Sequence, residues 1–125
     1  MSILHHDELP FIETPGGNST CGLATPSRGA TDLSIVRQRQ QSGGYNPAHS
    51  HDREEVMIML SGEVALTLGG EACTLAAGDV AIIPPATSHQ IQNHGDACAE
   101  WLLAARSGIR FFHASGEEAF PDWSR

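Results

Sequence analysis

Residues 44–56 read GYNPAHSHDREEV, a short stretch crowded with titratable groups. His49, His51 and Glu55 stand two and four residues apart within it, so the local conformation decides whether they can act together. In an extended strand alternate side chains share a face, and all three point the same way. On a helix, at about 100° per residue, His49 and His51 point to opposite sides. Pro47 just before and the β-prone run VMIML just after favour the strand.

Three such side chains facing a sheet interior need a reason, because an unpaired imidazole or carboxylate is costly to bury. A divalent transition metal supplies one, since imidazole nitrogens and a carboxylate oxygen suit Mn, Fe, Co, Ni, Cu and Zn. Further along, HQIQN places His89, Ile91 and Asn93 on one face and Gln90 and Gln92 on the other if it too is extended. His89 is the expected fourth ligand.

The rest of the chain reads as short strands separated by turn signals. LSIVRQRQ is followed by the break SGGYNP, and VMIML leads through Ser61-Gly62 into EVALTL, where Val64, Leu66 and Leu68 alternate. Gly69-Gly70 is a two-residue link suited to a tight hairpin before EACTL. VAIIP, HQIQN and AEWLLAA complete the series, with no helical pattern longer than a turn near SGEEAF. An all-β sandwich or barrel is expected, with a short C-terminal helical turn. The Gly-, Pro- and Thr-rich segment from Glu13 to Ala30 lacks either period and reads as a loop, one that could lie over a pocket. VMIML and EWLLAA are apolar on both strand faces, which is expected where one face lines a barrel and a second subunit covers the other; a homodimer follows.

Length and composition are compatible with this. With 125 residues, 40% of them hydrophobic, one domain spanning the whole chain (1–125) is expected. Fifteen acidic against seven basic residues, the latter scattered, disfavour nucleic acid as a partner. The opening MSILHHDELP lacks a charged and apolar leader pattern, and no run is long enough to span a membrane, so a cytoplasmic protein is expected. Cys21, Cys73 and Cys98 lack paired spacing; Cys73 and Cys98, in apolar strand-like segments, are expected to behave as small buried hydrophobes.

The spacing resembles that of a known family. Gly43, His49, His51, Glu55 and Gly62 stand at the intervals of the first cupin motif, and Gly78, Pro84, His89 and Asn93 at those of the second. Ala86 stands where the family usually has glycine, which bears on the turn before His89 if that position needs a positive φ. The motifs cover residues 43–62 and 78–93. The resemblance implies a double-stranded β-helix barrel and a metal held by His49, His51, Glu55 and His89.

With Glu55 bound through one oxygen, a six-coordinate ion keeps two open positions, the mark of a catalytic rather than a structural metal. The expected function is a metalloenzyme acting on a small oxygen-rich metabolite, with dioxygenase chemistry favoured and Glu55 serving as ligand and proton acceptor. The alternatives are isomerase, cyclase or lyase chemistry on the same site and a non-catalytic binding or sensing module. Met57, Met59, Ile91 and Asn93 are candidate pocket walls. Arg37, Arg39, Arg106 and Arg110 could grip a carboxylate at the barrel mouth but read better as solvated, as do His5, His6, His94 and His113. Trp101, Phe111 and Phe112 read as core or interface, and FPDWSR as a docking tail.

Overall fold

The computed structural model describes residues 1–121. The elements that carry the site are β3 (Leu33–Gln40), β4 (His49–His51), β5 (Glu55–Ser61), β6 (Glu63–Leu68), β7 (Glu71–Ala76), β8 (Val80–Ile83), β9 (His89–Gln92), β10 (Ala99–Arg106) and β11 (Phe111–His113). β1 (Ile12–Thr14) and β2 (Asn18–Ala24) precede them, and β12 (Glu118–Ala119) follows. They form two antiparallel six-stranded sheets, in the orders β1-β2-β3-β10-β5-β8 and β12-β11-β4-β9-β6-β7. The fold is all-β and consistent with a double-stranded β-helix, as the motifs imply. No helix of the described residues is long and apolar enough to cross a membrane.

Alternation along the strands builds the interior. Met57 and Met59 of β5, Val64 and Leu66 of β6, Ile83 of β8, Ile91 of β9 and Trp101 of β10 meet in one apolar cluster between the sheets. Burying each large side chain of this kind stabilises the fold by about 1.5–3 kcal/mol. Beside that cluster lies a buried polar seam. Trp101 Nε1 donates to Gln38 Oε1 (3.1 Å), Gln38 Nε2 donates to Thr20 Oγ1 (3.2 Å), and Gln40 Nε2 donates to Asn18 Oδ1 (3.0 Å).

That seam corrects one expectation. The segment from Glu13 to Ala30 is not a loop: it supplies β1 and β2, joined across Gly16 and Gly17, and a short 3-10 turn at Pro26–Arg28. Its inward positions are Asn18 and Thr20, whose polarity is met by Gln40 and Gln38, so no apolar alternation announces the strand. The expected C-terminal helical turn is likewise absent among the described residues. β12 pairs with β11 there, and only residues 120–121 of the FPDWSR tail lie within the described region. The cysteine expectation is also overturned. Cys73 and Cys98 are exposed, the first on the edge strand β7 and the second just ahead of β10, while Cys21 of β2 is buried.

Two backbone positions tie the motif letters to geometry. Gly62, between β5 and β6, has φ +73°, and a Cβ there would stand 2.7 Å from both the Ala99 Cα and the Cys98 carbonyl oxygen. Ala86 is the one non-glycine residue with positive φ (57°) among the described residues, so alanine takes up the glycine conformation at this turn. Its N–H donates to the His51 carbonyl (2.7 Å), which pins the turn to the strand that carries two of the histidines. Left-handed backbone costs an L-residue about 1–2 kcal/mol, while glycine loses about 0.5–1 kcal/mol more than alanine through its unfolded-chain freedom. Ala86→Gly is therefore expected to raise stability in urea unfolding by about 0.5–1 kcal/mol. A loss of that size would contradict the strain assigned to the turn.

Candidate metal centre

The pairing of β4 assembles the site. His49 lies opposite His89 across the β4–β9 pair and opposite His113 across the β4–β11 pair, where Phe111 also faces His51. Glu55 arrives from the other sheet, at the start of the β5 row that continues inward as Met57 and Met59. Each of His49, His51 and His89 offers one ligand atom, and these three atoms lie within 4.8 Å of one another. Glu55 Oε2 is 3.5 Å from His51 Nε2, and Oε1 is 3.9 Å from His89 Nε2.

Backbone carbonyls orient two of the rings. His49 Nδ1–H donates to the Pro47 carbonyl (2.8 Å) and His89 Nδ1–H to the Thr87 carbonyl (3.0 Å), each two residues upstream. Those bonds place the free lone pair on Nε2, as second-shell partners do for ligating histidines. Phe111 meets the His51 ring edge-on at 4.5 Å between centroids. Both ring nitrogens of His51, and Nε2 of His89, are buried without a hydrogen-bond partner. Buried polar atoms are rarely left so. One cation shared by the three imidazoles would satisfy His89 Nε2 and one of the two His51 nitrogens, and the donor set suits a first-row divalent ion. The three histidines could therefore hold a metal.

Their protonation agrees. Burial, reinforced by the neighbouring His89, holds the His49 imidazole down to about 4, well below its usual 6.5. Burial lowers His89 as well. Both rings are thus neutral near pH 7, the form that ligates metal.

The family model described as "Cupin domain" matches residues 36–105, more than half of the chain. The chain belongs to the cupin family. Among curated proteins, this cupin is 31% identical over 102 residues to quercetin 2,3-dioxygenase of Bacillus subtilis, covering 73% of the chain and 30% of that protein. It is 31% identical over 85 residues to Endoribonuclease YbeY of Myxococcus xanthus, covering 67% of the chain and 28% of that protein. The chain thus spans under a third of the length of these curated relatives. Among solved structures, the polyketide cyclase RemF of Streptomyces resistomycificus superposes with a TM-score of 0.75 at 18% identity, covering 99% of this chain and 89% of that one. An oxalate oxidase, an oxalate decarboxylase and a cupin sugar phosphate isomerase share the fold too.

Beside the histidines the cupin barrel opens into a cavity of about 230 Å³, far more than one water needs. Ile91 lines it, together with His49 and Glu55. Met57 and Met59 lie in the apolar core instead. Asn93 is engaged structurally, with Nδ2 donating to the Gln40 and Ala97 carbonyls. Gln38, Phe111, Phe112 and His113 also line the cavity, a place not expected of them from the sequence. The one available signal was the two-residue spacing of Phe111 and His113, which mirrors that of His51 and His49 on the facing strand. The arginines stand elsewhere: Arg37 and Arg39 pair with Glu100, and Arg110 forks onto Glu118. His5, His6 and His94 are exposed.

The pH dependence of the metal-free protein follows from His49. The unfolded chain binds a proton there near 6.5 and the folded chain near 4, so between those values the unfolded state holds more protons. Stability therefore falls as pH drops from about 6.5 to about 4, and His49→Asn flattens that slope. Thermal midpoints of metal-free protein across this range check it; a wild-type slope no steeper than that of His49→Asn would contradict it.

Proposed function

We propose that this cupin is a metal-dependent enzyme acting on a small oxygen-rich molecule, by dioxygenase-type chemistry, with His49, His51, His89 and Glu55 as ligands. The observation that carries the reading is the set of buried, partnerless imidazole nitrogens beside an acidic group and an open cavity. The likeness to quercetin 2,3-dioxygenase over 73% of the chain favours dioxygen chemistry over the alternatives. A divalent first-row ion held there would polarise substrate oxygens and, if redox-active, support chemistry with dioxygen.

The protein's own part is orientation and proton handling. Pro47 and Thr87 carbonyls fix the rings of His49 and His89, and Phe111 braces His51. Glu55, buried and facing both the imidazoles and the cavity, is placed to accept a proton from an enol or hydroxyl group of a bound substrate. The apolar cavity wall displaces water and strengthens that exchange.

Metal analysis of protein purified without a histidine tag, combined with oxygen-electrode assays, tests this. Iron, copper or another redox-active ion with substrate-dependent oxygen uptake is expected. Zinc with turnover but no uptake moves the reading to isomerase, cyclase or lyase chemistry, and binding that leaves the ligand unchanged moves it to a sensing module. His51→Ala is expected to lower metal affinity by at least about tenfold, since even partners outside the ligand set contribute about 10–100-fold. Full occupancy in that variant would remove His51 from the ligand set.

The reading includes a homodimer in a reducing, cytoplasmic setting. Ile58, Val80 and Leu102 lie in register on the outward face of one sheet, as do Val56, Ile82 and Ala104. Val80 and Ile82 are 55% and 62% exposed, an apolar patch suited to a second copy. All three cysteines are free, which fits a reducing compartment. Light scattering is expected to give twice the chain mass for the wild type and a monomer for Ile82→Glu; a monomeric wild type would contradict the assembly.

A further inference from the structure

The cavity beside the histidines is short of positive charge. The chain contains seven arginines and no lysine, and none of them lines this cavity among the described residues. Three of them are paired, Arg37 and Arg39 with Glu100 and Arg110 with Glu118 through two hydrogen bonds, while Arg53, whose buried Nε has no hydrogen-bond partner, stands outside the lining. The groups in the lining that can carry charge are Glu55, His49 and, exposed at the mouth, His113. The rest of the wall includes Pro15, Pro47, Ile91, Leu103, Phe111 and Phe112.

The polar groups in the wall are mostly taken. Gln38 is held by Trp101 and Thr20, while Asn18 donates to the Pro15 and Tyr45 carbonyls and accepts from Gln40. The half-buried side chains of Thr14 and Asn46 remain for a ligand. Carboxylates and phosphates are normally gripped by the fork of a guanidinium or by an ammonium, and no such group is offered.

Resting on the metal-enzyme reading above, we propose that the cavity takes a flat, largely apolar chelator with neighbouring oxygens, such as an aromatic diol, enol or diketone. Small dianions and phosphorylated sugars find no guanidinium or ammonium group in its lining. The ring packs between the prolines and phenylalanines, its oxygens face the histidines and Glu55, and Thr14 and Asn46 hydrogen-bond its outer substituents.

Calorimetry on the metal-loaded full-length protein at neutral pH tests this, with 2,3-dihydroxynaphthalene, oxalate and glucose 6-phosphate as probes and metal content measured before and after. The naphthalenediol is expected to bind at least about tenfold tighter than either anion. Thr14→Arg, a change at the half-buried end of an edge strand, is expected to raise oxalate affinity by about tenfold while metal content holds. Oxalate or the sugar phosphate binding the wild type as tightly as the diol would overturn the substrate class and leave the metal centre standing. Failure of the protein to take up metal would overturn the metal reading and this inference with it.

Discussion

Imidazole nitrogens removed from water with nothing to bond to set the terms for the rest of this molecule. His51 keeps neither ring nitrogen paired and His89 leaves Nε2 open, although both side chains are almost wholly buried. Leaving one buried polar group unmet costs about 1–3 kcal/mol, so several together form an arrangement that a fold keeps only for a ligand. Glu55, close to both rings, adds a buried carboxyl group to the cluster. A shared cation would meet Nε2 of His89 and one nitrogen of His51, and the depressed proton affinity of His49 leaves its lone pair ready.

The barrel is arranged to keep that cluster rigid. Three strands of one sheet, β11, β4 and β9, set His51 against Phe111 and His49 against His89, while the opposite sheet delivers Glu55. The turn at Ala86 is tied to the His51 carbonyl, which joins the loop leading to His89 to the strand carrying the other two histidines. Behind the site, the Trp101–Gln38–Thr20 and Gln40–Asn18 bonds give the interior a directional order that apolar packing alone does not supply.

What was legible in the sequence was whatever the two-residue strand period exposes locally. His49 and His51 share a face of β4 because of their spacing, whereas Glu55 reaches the same site from the other sheet after a bend at residues 52–53, and His89 stands out as a histidine at an inward position of a polar strand. The Gly69-Gly70 hairpin could be read in the same way, and β6 and β7 do pair across it. The β1–β2 hairpin was hidden because its inward residues are polar and satisfied by β3, a partner that local pattern cannot reveal. Phe111 and His113 were illegible as site residues for a related reason: their place depends on pairing with a strand about sixty residues earlier in the chain. Cys73 sits among apolar letters yet is exposed on the edge strand β7, and Cys98 is exposed just ahead of β10.

The most direct measurement is anomalous diffraction at the absorption edge of the bound metal, from crystals of tag-free protein. The account predicts one peak bonded to His49, His51 and His89 through Nε2, at about 2.0–2.2 Å from each nitrogen. A peak at the exposed His5–His6 pair instead, or imidazoles that bond only to water and to one another in metal-replete crystals, would contradict it.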